Sequence, residues 1–352
     1  MHIYRLGAVS WQDSQLLYHA LPRLDREGLI LLSPATPYVC IGYHQDVDQE
    51  VDVAYCRENA IPIFRREVGG GAVYLDGDQL FWQLVIHKDN PLVPAGKEAF
   101  YRKFLQPPIA AYRALGIPAQ YKPVNDIVAH DRKVSGTGVG EIEDYIIFVG
   151  NLIVDFDYEM MARVLKVPDE KFRDKVYKTI RENLSTIKRE IDDVPPTEAL
   201  WTLMADKFAE TLGPLEEVTS VDEAWRAKTD ELAEQFLTDE CLFRSRRRPV
   251  KRRVKIRAGV EVRHGMHKAT GGLIRALFQV DADENENVDV IRHVEFSGDF
   301  FIYPAERLAE LEAALLGVRL DEVERAVARF YAEREVDSPG VGPSDFARAL
   351  AS

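Results

Sequence analysis

The sequence predicts an α+β protein in two parts. A mixed or antiparallel sheet with packed helices occupies residues 1–240, and a smaller α+β domain occupies residues 241–352. Three observations predict this. Short apolar runs bounded by turn residues, above all Leu80-Phe81-Trp82-Gln83-Leu84-Val85-Ile86-His87, read as buried strands. Residues 158–212 carry helical spacing and supply a layer able to cover one sheet face. After a connector, strand patterns return over residues 254–296 and helices close the chain, and a length of 352 residues has room for both parts.

Taken in order, residues 16–24 and 53–58 read as short helices set between strands, with Val39-Cys40-Ile41, Ile61-Pro62-Ile63-Phe64 and residues 72–75 as strands. Residues 97–115 predict one helix that stops before Gly116 and Pro118. Asn125-Asp126 before Ile127-Val128 reads as a turn entering a strand; His130-Asp131-Arg132 is a hairpin tip, and Lys133-Val134-Ser135-Gly136 returns from it. Residues 145–156 read as a strand pair or a bent strand around Gly150-Asn151. The helical stretch 158–212 is broken near Pro168 and at Pro195-Pro196, and residues 222–237 form a connecting helix. Strands follow at 254–264, 272–280 and 288–296, with a polar turn at 281–287; helices at 304–316, 320–333 and 343–351 end the chain. No internal repeat is visible.

Composition narrows the function. Hydrophobic residues make up 46% and charged residues 29%, which suits a soluble protein with filled cores. No apolar run reaches the roughly 18 residues of a spanning helix. The N-terminal residues have no basic stretch followed by an apolar one, so no secretory signal and a cytoplasmic location are expected. The three cysteines, Cys40, Cys56 and Cys241, are too few and scattered for a disulfide framework or a zinc site, and His264 with His267 lacks the further ligands a tetrahedral site needs. A net charge of −13 argues against general nucleic-acid binding. Residues 244–257 run against that balance with nine cations and no anion. They read either as a basic surface facing an acidic carrier domain or as a solvated linker.

Chemistry concentrates in two stretches. In Arg65-Arg66-Glu67-Val68-Gly69-Gly70-Gly71-Ala72-Val73, two cations stand beside three glycines at the junction of two strand-like runs. Consecutive glycines weaken a strand and are tolerable where something must approach the backbone closely. Bare N–H groups flanked by arginine make a cradle for phosphate or carboxylate; a tight hairpin with exposed arginines is the alternative. In Asn125-Asp126-Ile127 and Lys133-Val134-Ser135-Gly136-Thr137, Lys133 follows the hairpin tip and precedes a Ser-Gly kink, where it either points into a site or is simply solvated.

Together the two stretches resemble the lipoate–protein ligase A family of the biotin/lipoate ligase and octanoyltransferase superfamily. Val39-Cys40-Ile41-Gly42-Tyr43-His44-Gln45 and residues 51–62 extend the resemblance over roughly residues 28–155. Phe296-Ser297-Gly298-Asp299-Phe300-Phe301-Ile302-Tyr303-Pro304 and residues 308–317 resemble the accessory domain of such ligases, here fused. The resemblance implies a biotin/lipoate ligase-like catalytic domain that uses ATP and Mg2+ to activate lipoate as lipoyl-AMP. The lipoyl group then passes to a lysine of a lipoyl domain or a glycine-cleavage H-like protein; neither nucleic acid nor membrane is implied as a partner.

Carried over by position, Lys133 is the catalytic lysine. Arg65, Arg66, Gly69, Gly70, Gly71, Ala72, Val73, Asn125, Asp126, Ser135, Gly136, Thr137 and Gly150 bind substrate or adenylate, with Asp126 also a candidate for magnesium. Val39, Ile41, Val73 and Val149 line the acyl slot or are core. Val68 and Leu75 stand where the family usually has Ser or Thr and often has His, which puts the acyl chain or carrier in doubt. Octanoyltransferases use a cysteine after the lysine motif, and no cysteine lies between Cys56 and Cys241. A lipoyl-carrier-binding protein without turnover is the non-enzymatic alternative, opposed by the presence of both Lys133 and Asp126.

Overall fold

The strand Gln79–His87 is buried along almost its whole length, and the sheet is built outward from it. Its apolar residues need cover on both faces, which suits a strand inside a sheet rather than at an edge. One neighbour is Tyr145–Ile153, paired antiparallel from Gln79↔Ile153 to His87↔Tyr145; the other is Gly28–Pro34, also antiparallel. The six-stranded sheet continues to Thr137–Ile142 on one side and to His2–Val9 and Glu216–Val218 on the other. The last two pairings are parallel, so the sheet is mixed. The computed structural model describes residues 1–167, 169–244, 253–257, 260–282 and 289–351. Residues 245–252 of the basic segment, Pro168 and residues 283–288 around the acidic turn lie outside the described residues.

The chain folds as two compact units. The first comprises Met1–Ile41, Val51–Val68 and Val73–Leu242; the second comprises Gly42–Glu50, Gly69–Ala72 and Phe243–Ser352. The sequence placed a single boundary after residue 240. The units part between Leu242 and Phe243, and two short upstream segments also belong to the second.

Two three-stranded sheets complete the first unit. Tyr38–Ile41 lies between Ile63–Arg65 and Val73–Leu75, and Asp126–Ala129 lies between Gln120–Lys122 and Arg132–Ser135. The connecting helix Glu223–Phe236 is part of this unit's core rather than a free connector. Asp222 caps it by accepting from Trp225 N–H, and the buried Trp225 ring packs edge-on to Tyr4 at 4.6 Å while its Nε1 donates to Leu17 O at 3.0 Å. Two sequence expectations change. The helix expected over residues 97–115 is two helices, Lys97–Phe104 and Gln106–Ala114, because Pro107 and Pro108 lack N–H groups and suit only a first turn. Residues 145–153 form one continuous strand across Gly150-Asn151.

In the second unit an antiparallel sheet runs in the order Arg253–Arg257, Val260–Ala269, Gly272–Ala282, Asp289–Gly298. The helices Arg307–Ala314, Val323–Glu333 and Pro343–Ala351 cover it with a core that includes Ile274, Phe278, Phe296, Phe300, Leu311, Phe330 and Phe346. The two upstream segments are held by close contacts. Gly298 N–H donates to His44 O at 3.1 Å, the His44 ring stacks on Phe300 at 5.5 Å, and Arg275 pairs with Glu50 at 3.1 Å.

Gly150 shows how tightly the central strands pack. It stands directly opposite Trp82, and a Cβ at this position would lie 2.2 Å from the indole ring. Gly150→Ala should therefore cost about 1–3 kcal/mol of stability through overpacking. Urea unfolding should show a lower midpoint with an unchanged slope, and adding Trp82→Phe, which removes the contacting ring edge, should recover part of the loss.

Candidate active site

Lys133 sits in the strand Arg132–Ser135, which returns from a two-residue tip. His130 and Asp131 there have φ of 49° and 62°, the left-handed pair of a tight hairpin turn. Pairing passes from Ile127↔Ser135 to Val128↔Lys133, so Val134 is the extra residue of a bulge. Bulges re-aim side chains. Beside this one, Lys133 Nζ reaches Asp126 Oδ1 at 2.7 Å, and both side chains are about one third exposed. The pair is open to a ligand rather than sealed in the core.

The backbone around Lys133 is tied on every side. Its carbonyl accepts Ser185 N–H at 2.8 Å, and Tyr112 OH donates to Val134 O while accepting from Ile153 N–H. Arg132 and His130 both bond Glu190, at 2.9 and 2.8 Å, and Ser185 Oγ joins them. Burial works against the Glu190 charge, but these three donors outweigh it and hold the carboxyl below its ordinary value. Asn125 and Thr137 lock reciprocally: Asn125 Nδ2 donates to Thr137 O at 2.6 Å, and Thr137 Oγ1 donates to Asn125 O. The Asn-Asp turn is thereby fixed to the strand that follows the lysine.

Two residues missed by sequence reasoning extend this framework. Asn151 Oδ1 accepts Gly136 N–H at 2.9 Å, Asn151 Nδ2 donates to Gln79 Oε1 at 2.9 Å, and Gln79 Nε2 donates to Tyr74 O at 3.1 Å. Both amides are buried. Their signal in the sequence is faint: one polar residue just before an apolar run and another inside one.

The two arginines separate. Arg65 is 2% exposed, and its guanidinium donates to the carbonyls of Cys241 and Leu242 at 2.7–3.2 Å. It holds the backbone near residue 242. Arg66 follows immediately after the strand Ile63–Arg65. Its N–H donates to Ile41 O at 3.0 Å, and its Nη1 approaches Cys40 O at 3.3 Å and Sγ at 3.6 Å. Burial pushes the Cys40 thiol up despite that cation, and the buried Cys56 thiol is pushed up to about 11. Val39 and Ile41 are fully buried core, while Val73 and Val149 are partly buried against it.

Gly69, Gly70, Gly71 and Ala72 fall in the second unit. What approaches Gly69 there is the Phe301 ring, 2.7 Å from the position of a Cβ. Gly70, at φ 95°, turns its carbonyl onto Gly42 so closely that a Cβ at Gly42 would lie 1.9 Å from it. The glycines thus meet a real demand for close backbone approach, made in this structure by protein atoms.

Glu67, the residue after Arg66, is held by a buried histidine. His19 Nδ1 bonds Gln15 O at 2.6 Å, so it carries the proton, and Nε2 accepts Glu67 N–H at 3.2 Å, so it is bare. Burial, only partly offset by the Glu67 carboxylate, lowers the His19 pKa to about 4. The unfolded chain therefore takes up this proton first as pH falls from about 6.5. The stabilisation is complete above that value and is lost as pH drops towards 4, by at most about 3 kcal/mol. Urea titrations at pH 7 and pH 4.5 should show a larger loss in the wild type than in His19→Gln. Asp76, raised to about 6 by burial, contributes the opposite slope in both proteins and cancels in the comparison.

Comparison with known proteins places the chain. Residues 7–209 match the family model of the lipoyl protein ligase A/B catalytic domain. Lipoate-protein ligase A subunit 1 of Thermoplasma acidophilum is 32% identical over 164 residues; the match spans 44% of this chain and 61% of that protein, less than two thirds of its length. Lipoate–protein ligase 1 of Staphylococcus aureus is 26% identical over 299 residues, 84% of this chain and 82% of its own. An octanoyltransferase of Kyrpidia tusciae also matches, at 24% identity over 231 residues. Among solved structures, the bipartite lipoate protein ligase of T. acidophilum, described with its E2 lipoyl domain, superposes with a TM-score of 0.62 at 27% identity. It covers 71% of this chain and all of its own. With more than half of its length matched to the family model, the chain belongs to the lipoyl protein ligase A/B family.

Proposed function

We propose that the protein is an ATP-dependent lipoate–protein ligase that makes lipoyl-AMP and passes the lipoyl group to a lysine of a lipoyl domain or a glycine-cleavage H-like protein. The observation that carries this reading is the partly exposed Lys133–Asp126 pair at 2.7 Å, fixed by the Asn125–Thr137 lock. In the first step a lipoate carboxylate oxygen bonds to the α-phosphorus, and the bond to the bridging oxygen breaks to release pyrophosphate. In the second the carrier amine attacks the acyl carbon, loses a proton, and expels AMP. Both steps gather negative charge near the transferred group. A cation held by a rigid backbone stabilises that charge without reorganising, and this is the role assigned to Lys133.

Arg66 is assigned to the nucleotide phosphates, Gly69, Gly70, Gly71, Ala72 and Val73 to close approach by the adenylate, and Ser135, Gly136, Thr137 and Gly150 to the pocket wall. Arg65 is left out, because its guanidinium serves the carbonyls at 241 and 242. Magnesium, when bound, would offset phosphate charge. Among the described residues no cluster of three or more His, Cys, Asp or Glu could hold a metal. Asp126 would therefore supply one oxygen, with phosphates and water completing the shell. The accompanying likeness to octanoyltransferases is weighed by the thiols. No cysteine follows the lysine motif until Cys241, and the Cys40 and Cys56 thiols are buried with their pKa values raised, which does not suit a nucleophile. The T. acidophilum structure with its E2 lipoyl domain supports a lipoyl domain as acceptor.

Lipoate- and ATP-dependent pyrophosphate release tests the reading. The wild type should need both substrates, and Lys133→Ala should lose about a hundredfold or more. Release from neither protein, with lipoate or octanoate and with carrier added, would overturn it.

A further inference from the structure

The Asn151–Gln79 pair stands apart from the residues assigned above. It joins Gly136, just after the strand that carries Lys133, to the strand Val73–Leu75. Its polarity is fully determined. Gly136 offers only a backbone N–H, so Asn151 must present Oδ1 to it and Nδ2 to Gln79. Tyr74 offers only a carbonyl, so Gln79 must present Nε2 to it and Oε1 to Asn151. Both requirements are met at once, giving a one-way chain from Gly136 N–H to Tyr74 C=O. The two side chains lie on one sheet face, since Asn151 pairs with Phe81 and Gln79 with Ile153, two places away.

We propose that Asn151 and Gln79 are positioning residues, a polarised amide relay that sets the backbone of Gly136, three residues after Lys133, against the strand Val73–Leu75. The proposal rests on the ligase reading for its catalytic consequence, but the relay itself does not. A carboxylate at position 151 reverses the chain at Gln79, and one at position 79 sets an oxygen against Tyr74 O. In Asn151→Asp one oxygen can still accept from Gly136, but Gln79 must then turn to donate to the other, bringing its Oε1 against Tyr74 O. Once protonated, the introduced carboxyl donates O–H to Gln79 and restores the wild-type direction. Burial raises carboxyl pKa values, so this proton should be gained in an accessible range. The variant should therefore be impaired at high pH and rescued as pH falls, which a residue that merely fills space would not show.

The titratable group nearest the relay is Asp76, whose Oδ1 is 3.5 Å from Gln79 Nε2, with Asp78 and Asp157 acting on Asp76 in turn. All three are present in wild type and variant, so each measurement is taken as the ratio of variant to wild type at the same pH. Pyrophosphate release by Asn151→Asp should fall about tenfold relative to wild type at pH 8, the effect of one buried acceptor left unsatisfied, and recover most of that at pH 6. Amide-exchange protection at Gly136 should fall in Asn151→Leu, which leaves that N–H without its acceptor. Gln79→Glu, whose carboxylate sets an oxygen against Tyr74 O until it is protonated, should show the same pH rescue of release and serves if Asn151→Asp does not fold at pH 8. A release ratio that does not change with pH, or Gly136 protection in Asn151→Leu equal to wild type, overturns the relay. Lost protection in Asn151→Leu with unaltered release overturns its positioning role. If the wild type releases no pyrophosphate, the ligase reading fails instead, and Gly136 protection in Asn151→Leu alone decides whether the relay exists.

Discussion

The pairing of Gln79–His87 with Tyr145–Ile153 is the constraint on which the first unit depends. Two apolar strands buried against each other have one acceptable register, because a slip of one residue would turn every side chain to the wrong face. That register sets Gly150 against Trp82 and places Asn151 within reach of Gln79. It also carries Thr137–Ile142 on the outer edge of Tyr145–Ile153, and so locates the segment that begins at Lys133. The proposed site hangs from two deeply buried strands of the sheet.

Electrostatics follow from the same rigidity. Lys133 and Asp126 form a partly exposed pair, worth little to stability. Around them the polar groups are satisfied by backbone and buried amides: Asn125 by Thr137, Ser185 by the Lys133 carbonyl, Gly136 by Asn151. The charge proposed for chemistry is left partly exposed, while the polar groups around it are fixed. Arg65 shows the converse. A fully buried cation is tolerable only with acceptors close by, and the carbonyls at 241 and 242 provide them.

Much of this was legible in the residues. The strands around Lys133 and the glycines, the hairpin tip at His130-Asp131 and the late return to strands all follow from local pattern, since side-chain alternation and turn chemistry act over a few residues. Local pattern was less reliable where proline and burial competed. Helical spacing over 97–115 concealed the break that Pro107-Pro108 imposes, and the Gly150-Asn151 pair suggested a strand pair or a bent strand where one strand runs in unbroken register. Asn151 and Gln79 could not be singled out, because an amide beside apolar residues looks the same in the sequence whether it meets water or another amide.

By itself the sequence determined the family, the mixed α+β architecture and the lysine around which the proposed chemistry turns, because those depend on residue identity at short spacing. Only the tertiary structure decided which residues face one another. Arg65 and Arg66 are adjacent in the chain yet serve different partners, Arg65 the carbonyls at 241 and 242 and Arg66 the carbonyl of Cys40. Gly69–Ala72 packs with residues more than two hundred positions later, because the Phe301 ring can approach only a backbone without side chains. Long-range proximity of this kind is a property of packing, and no local pattern encodes it.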